Sequence, residues 1–287
     1  MGLKPGKLEN EDAIVDVLNE IFAGHATFEK AFVYWMNECP TGKNQWYAAF
    51  DNTRPVALYG LLPMDVSYKG FQMKGALCNN VGTVPEYRKR GIFVDLGRYA
   101  LQDFHADIAI GIPNEAAVPG HMKVGWKRVG TLELLSGESN RLGDVPYCVL
   151  EGFQFDLPEY EPDFLVSRNA EWRKWRYSKP GVEYRQSVFG NGFVIWKEFE
   201  IKGRGIFARM GIKSRQVMET NSDAMPLIML GGDCKIQMWQ FKNSVRSRHL
   251  KSIGFLPTME REMIVYPGHF NLPVDNIRFD ACDFDTF

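Results

Sequence analysis

Apolar positions near the start of the chain fall into step at Ile14, Val15, Leu18, Ile21 and Phe22, one face of a 3.6-residue period. Asn10 stands where an N-cap belongs, and Glu11 and Asp12 occupy the first turn, beside the positive end of the helix dipole. Phe28, Phe32, Trp35 and Met36 keep the helical rhythm until Pro40 stops it. The pattern then changes to strand: "QWYAAF" (45–50), a turn at "DNTRP", and long runs over 56–68 and 71–84 joined at Lys69 and Gly70. After Gly91 helical spacing returns through Ile92, Phe93, Leu96, Tyr99, Ala100 and Phe104. "DIAIGI" (107–112) reads as a short buried strand, Pro113-Asn114 opens a helix that ends before Gly125, and "WKRVGTLELL" (126–135) is a further strand.

The acidic, Pro-containing stretch "DLPEYEPD" (156–163) is the best boundary, dividing the chain into 1–155 and 156–287. Beyond it the pattern predicts a helix at "AEWRKWRY" (170–177), a strand "YRQSVF" and a hairpin over 193–212. A helix near 215–223, a strand at 236–241, a helix over 243–255 and a strand at 261–266 follow. The order of the first half thus recurs. Placing Gly254 on Gly125 also places Asn243 on Asn114 and Phe255 on Trp126, the register that a duplication would leave.

Composition narrows the function classes. The 287 residues are 45% hydrophobic and 24% charged with a net charge of −1, values of a globular protein with no global field for nucleic acid or an anionic membrane. Five cysteines, Cys39, Cys78, Cys148, Cys234 and Cys282, are scattered without a CxxC pair, which argues for reduced thiols rather than a disulfide framework or zinc site. His25, His105, His249 and His269 show no metal spacing, so no metal is expected. The first residues contain no apolar signal segment, and "MPLIML" (225–230) is too short to span a bilayer, so the expected location is the cytoplasm.

Against this neutral background "VPEYRKRGIF" (84–93) is conspicuous. It lies between a strand and a helix, where unpaired N–H groups and the helix dipole attract an anion. Gly91 permits close backbone approach, and Arg88, Lys89 and Arg90 can add charge-assisted hydrogen bonds. The residues alone leave two readings open, a phosphate cradle or a solvated basic turn. The partial repeat "KGRGIF" (202–207) has strand patterns on both sides and reads as a hairpin turn. Neither GxxxxGK[ST] nor GxGxxG occurs.

The stretch "NNVGTVPEYRKRGIF" resembles the acyl-CoA-binding motif of the GNAT superfamily of N-acyltransferases, whose [RQ]-x-x-G-x-[GA] signature falls on Arg88, Gly91 and Phe93. Phe93 departs from the small residue usual there and would tighten the room around the pyrophosphate. "IGIPNEAAVPGHMKVGW" resembles the next element of the same family, a splaying strand, an Asn, and a helix ending in Gly and an aromatic residue. The resemblance spans roughly residues 10–150. With the internal repeat it implies an α/β (α+β) chain of two tandem GNAT-like domains, each a mixed, mostly antiparallel sheet flanked by helices, only the first keeping the cradle.

The same resemblance implies a set of roles. The Val81 N–H would serve as oxyanion donor, and Val81 and Thr83 would line the pantetheine. Arg88, Lys89, Arg90, Gly91, Ile92 and Phe93 would hold the pyrophosphate, and Asn114 would meet the pantetheine. The position of the family's acid is His121, which could protonate the leaving thiolate or be a surface residue. The position that often carries a base is Asn79, with Asn80 beside it; an amide takes no proton but can orient an amine or a water.

Co-substrates implied are acetyl-CoA or hydroxybutyryl-CoA. The layout resembles transferases acting on a dTDP-linked amino sugar in surface-polysaccharide synthesis, with Trp172 and Arg176 gripping the acceptor or, alternatively, belonging to a packed arm with a solvated basic face. A non-catalytic acyl-CoA sensor and an aminoacyl- or peptidyl-type transferase of the same doubled fold stand as alternatives, and a homo-oligomer is left open.

Overall fold

The structure is a computed structural model that describes residues 3–138, 148–149, 164–189, 192–201, 212–221, 234–270, 272 and 277–284. The boundary stretch 156–163 and the repeat at 202–207 lie outside them. The first half runs β1 (Lys4–Lys7), α1 (Glu11–Ile21), α2 (Lys30–Asn37), β2 (Gln45–Asp51), β3 (Arg54–Tyr68) and β4 (Phe71–Thr83). It continues with α3 (Ile92–Phe104), β5 (Ile108–Gly111), α4 (Val118–Val124), β6 (Lys127–Glu138) and β7 (Cys148–Val149). Then come β8 (Phe164–Val166), α5 (Ala170–Arg176), β9 (Tyr184–Phe189), β10 (Gly192–Ile201), β11 (Ile212–Thr220) and β12 (Lys235–Phe241). The last elements are α6 (Val245–Ser252), β13 (Leu256–Tyr266), β14 (Ile277–Arg278) and α7 (Ala281–Phe284).

Local chemistry starts these elements as the pattern predicts. The Asn10 side chain accepts the Ala13 N–H at 2.9 Å, and Ile14, Val17, Leu18 and Ile21 form the buried face of α1. α1 and α3 both lie across β3, and each carries a partner helix, α2 or α4. One prediction fails: the helix expected near 215–223 is the strand β11, antiparallel to β10 and parallel to β12. Val217, Met218, Glu219 and Thr220 are all buried, so no alternation of apolar and polar positions marks this strand.

The sheet is continuous, mixed and mostly antiparallel, in the order β1-β2-β3-β4-β5-β13-β6-β12-β11-β10-β9-β7. This order reads alike from both ends, with parallel pairs only at β4–β5 and β11–β12 along it. β13 from the second half is inserted between β5 and β6 of the first. Its pairs Thr131–Glu262 and Glu133–Glu260 exchange with one another under the same offset that carries Gly125 to Gly254. Gly125 (φ 119°) and Gly254 (φ 100°) end α4 and α6 in the left-handed conformation. The following N–H groups of Trp126 and Phe255 bond back to the carbonyls of His121 and Leu250, again at that offset. The Asn pair is less alike: Asn114 accepts the Ala117 N–H, whereas Asn243 is itself left-handed and Ser244 caps α6.

A second contact repeats the symmetry. Trp35 of α2 and Trp175 of α5 stack with centroids 4.9 Å apart and planes 9° from parallel. Each indole N–H donates to the other residue's carbonyl, at 2.8 and 2.6 Å. Beside them lies a buried ion cluster. Arg168 pairs with Asp280 at 2.8 Å and bonds Asp283, while Arg173 and Tyr177 both bond Glu219 at 2.9 and 2.8 Å. Burial alone would raise the Glu219 carboxyl, but Arg168, Arg173 and Arg278 outweigh it and hold it at about 2. This cluster fastens the C-terminal segment to α5 and β11.

Trp175→Ala removes a buried ring and the hydrogen bond its indole donates to the Trp35 carbonyl, and is expected to cost about 3–5 kcal/mol in urea unfolding. Because the partners touch, Trp35→Ala together with Trp175→Ala should cost less than the two single losses added.

Candidate active site

β4 leaves the sheet at Thr83, and Val84 is buried before the single turn Pro85–Tyr87. Lys89 (φ 63°) and Gly91 (φ 80°) then bend the backbone in left-handed steps into α3. Among the described residues, nothing accepts the backbone N–H groups of Lys89, Arg90, Gly91, Ile92 or Phe93. These groups, on an exposed loop capped onto a helix of 13 residues, form a cradle with the partial positive charge an oxyanion needs.

The side chains do something different from the expectation. Arg88 turns back and donates from Nε to the Thr83 carbonyl at 3.0 Å and from Nη2 to the Ile21 carbonyl at 3.3 Å. Arg90 donates to the Glu86 carbonyl at 2.8 Å and covers the Tyr87 ring. Both guanidiniums brace the loop, and among the described residues nothing pairs with the Lys89 ammonium. Nor does Phe93 crowd the cradle: its ring turns inward, 5.0 Å from the His121 ring and edge-on. Ile92 is buried beneath the loop.

The second part of the site is the gap between β4 and β5. The two strands pair in parallel from Gly75–Ile108 to Cys78–Gly111 and no further. Asn80 sits in the left-handed region (φ 48°), which Asn tolerates better than most residues, and the β3–β4 register shifts between Leu58 and Gly60. A cavity of about 100 Å³ opens there. It brings together Asn79, Asn80 and Val81 of β4, Asn114 after β5, and His121 of α4, with Phe22 and Phe284 closing it from either end of the chain. Val81 lies past the last β5 partner, so on that side its backbone faces the gap. Thr83 is buried outside the lining.

His121 is only 1% exposed, wedged among Tyr59, Phe93 and Trp126, with Nδ1 3.4 Å from the Tyr59 hydroxyl. Burial drives its pKa down to about 4, so the ring is neutral at physiological pH. It is neither the surface residue nor the ready acid that the sequence suggests. Trp172 and Arg176 also depart from expectation: both are buried in α5, with Arg176 donating to the Cys282 carbonyl at 2.6 Å. The structure does not bring them to the cavity, and the basic face of α5 is buried rather than solvated.

Other contributors went unread in the sequence. Asn44 donates no pattern of its own, yet its Oδ1 accepts from Asn79 Nδ2 at 2.9 Å. Gly60 lies under that bond. Phe284 reaches the cavity from a segment whose placement depends on the ion cluster.

The fold is GNAT-like, a large, mostly antiparallel sheet flanked by helices. Residues 3–129 match the family model of the acetyltransferase (GNAT) domain. No curated protein matches the sequence. Among solved structures, a GCN5-related N-acetyltransferase from Anabaena variabilis ATCC 29413 superimposes with a TM-score of 0.66 at 14% identity, covering 92% of this chain and 72% of that one. A GCN5-related N-acetyltransferase from Kribbella flavida gives 0.59 at 14% identity, covering 92% and 71%. A candidate acetyltransferase from Pyrococcus horikoshii gives 0.62 at 12% identity, covering 98% and 94%. These likenesses establish a shared fold over both halves. Among the described residues, no helix is long and apolar enough to cross a membrane.

Two outcomes follow. Gly91→Val forces a β-branched residue to φ 80° and crowds the cradle, so calorimetry should find CoA binding weakened roughly tenfold or more. His121 has a pKa lower in the folded than in the unfolded chain. Its protonation therefore destabilises the fold as pH drops below about 6.5, fully so below about 4. Unfolding free energy measured from pH 7 to 4 should fall by on the order of 3 kcal/mol more in the wild type than in His121→Phe.

Proposed function

We propose that the protein is an acyl-CoA N-acyltransferase that moves an acetyl or short hydroxyacyl group to a primary amine. The observation that carries this is the juxtaposition of an unpaired N–H cradle at 89–93 with a cavity between the parted strands β4 and β5. Diphosphate on the cradle would place the pantetheine arm along the gap, with its thioester near Val81. A neutral amine attacks the thioester carbon, a C–N bond forms, and the oxygen takes up negative charge against the Val81 N–H. Collapse breaks the C–S bond, and the proton lost by nitrogen ends on the thiolate, giving amide and free CoA thiol. His121 shapes the wall as a neutral ring, so water is the carrier we assign to that proton.

In this reading the chain comprises two GNAT-like units, 1–155 and 156–287, and the first alone binds acyl-CoA. The palindromic sheet order supports the duplication. The connection from β11 to β12, residues 221–234, is much shorter than the 84–107 connection that holds the cradle and α3, which supports assigning acyl-CoA to the first unit. For the acceptor we propose an amino sugar, carried on a nucleotide in surface-polysaccharide synthesis. A near-neutral net charge of −1 fits a small acceptor better than an extended nucleic acid. Cytoplasmic residence and small-molecule rather than membrane partners belong to the same proposal.

The test is thiol release from acetyl-CoA with amino sugars, dTDP-amino sugars and simple amines. Release with an amine and formation of the amide by mass is the expected result. CoA binding with no release from any amine would instead make the chain an acyl-CoA-binding protein without transferase activity.

A further inference from the structure

Three buried amides run in series beside the cavity. Asn79 Nδ2 donates to Asn44 Oδ1 at 2.9 Å, and Asn80 Nδ2 donates to Asn79 Oδ1 at 2.8 Å. Asn79 Nδ2 also donates to the Leu77 carbonyl at 3.1 Å. That last bond sets the direction of the whole chain. A backbone carbonyl only accepts, so Asn79 must turn its NH2 toward Leu77. Its NH2 then also meets Asn44, which must answer with oxygen, and its own oxygen takes the NH2 of Asn80.

Two ends are left over: the Nδ2 of Asn44 and the Oδ1 of Asn80 are buried and have no hydrogen-bond partner among the described residues. Asn44 and Asn80 are 4% and 2% exposed, so neither orphan is satisfied by bulk water, and such an atom is costly until a ligand meets it. Asn80 lines the 100 Å³ cavity, and Asn44 lines a larger one of about 390 Å³ between α1, α2 and the start of β2. The series crosses β3 at Gly60, where an added Cβ would stand 2.6 Å from Asn79 Oδ1 and 2.7 Å from the Asn79 carbonyl oxygen. Only glycine leaves that path open.

The described lining of the smaller cavity carries no formal charge. Among its described lining residues none is a carboxylate, ammonium or guanidinium. The titratable groups on it are Cys78 of β4, which burial pushes up to about 12, and His121 of α4, with Tyr59 of β3 against His121. Beside Phe284, Asp283 is committed to Arg168. An ammonium entering here would lose its hydration with no counter-charge from the described lining, whereas a neutral amine would lose little.

Resting on the transferase reading above, we infer that Asn44 is a positioning residue: through Asn79 it fixes the Asn80 amide with its oxygen toward the incoming nitrogen, so that the cavity selects an uncharged amine that donates a hydrogen bond.

The experiment uses the full chain, acetyl-CoA, and three amines of graded basicity: p-anisidine, glucosamine and n-butylamine. In the wild type the pH profile of kcat/KM should inflect at the ionisation of each amine, moving with the amine. Asn44→Leu should raise KM for the amine roughly tenfold, with kcat changed less and CoA affinity within twofold of wild type. Asn44→Asp, which still offers Asn79 an oxygen, should recover most of that loss. An inflection fixed at one pH for all amines, an unchanged KM in Asn44→Leu, or Asn44→Asp behaving like Asn44→Leu would each overturn the inference while leaving the transferase reading intact. If Asn44→Leu does not fold, the wild-type profiles and Asn44→Asp still decide. Absence of thiol release with every amine, with CoA bound, removes the transferase reading and this inference together.

Discussion

Everything at the site depends on where β4 and β5 stop sharing hydrogen bonds. Parallel pairing ends at Cys78 and Gly111, and the left-handed Asn80 carries β4 away from its neighbour. A parallel sheet that loses a partner in mid-course exposes backbone polar groups, which is unfavourable unless something else satisfies them. Here the gap is lined by Asn side chains and by the N-terminal approach to α4, and it opens into the cavity. The cradle at 89–93 and the cavity at Val81 are two consequences of that one divergence, since the strand that parts from β5 also delivers the chain to α3.

The gap stays open because the surrounding sheet is rigid. β13 is inserted between β5 and β6, so each half of the chain supplies the edge that the other half would otherwise leave bare. The paired Trp35 and Trp175 then join the helical layers of the two halves, and the buried Arg168, Arg173 and Glu219 cluster ties the C-terminal segment to α5 and β11 within the second. Buried ion pairs contribute little net stability, but breaking one leaves a charge stranded, so such a cluster strongly disfavours other arrangements of the C-terminal segment. Phe284 reaches the cavity because of it. The second half contributes to the site by holding its frame and closing one end of the cavity.

Much of this was legible in the residues. Helix and strand alternation in the first half follows from the sequence pattern, because its helices show one apolar face at helical spacing and its strands are short or long apolar runs bounded by turn residues. The cradle was legible because Gly91 and the basic run stand between a strand and a helix. The register of Gly125 on Gly254 was visible too, and the hydrogen bonds from Trp126 and Phe255 repeat it. What misled the pattern was burial of polar residues. Glu219 and Thr220 are buried in β11, so that strand carries no alternation, and Arg173 and Arg176 make α5 look solvated when it is buried.

The sequence by itself determined the helices and strands of the first half, the strand-to-helix setting of the basic loop and the near-absence of charge available for a global field, since these depend on neighbours within a few residues. Tertiary structure alone decided that Arg88 braces the loop, that His121 is neutral, and that Trp172 and Arg176 serve the core. It alone joined Asn44 to Asn79 across Gly60, over a separation that no local spacing reports. The physical reason is the same in each case. A side chain's charge state and hydrogen-bond partner depend on what excludes water from it, and that is settled by strands and helices remote in sequence.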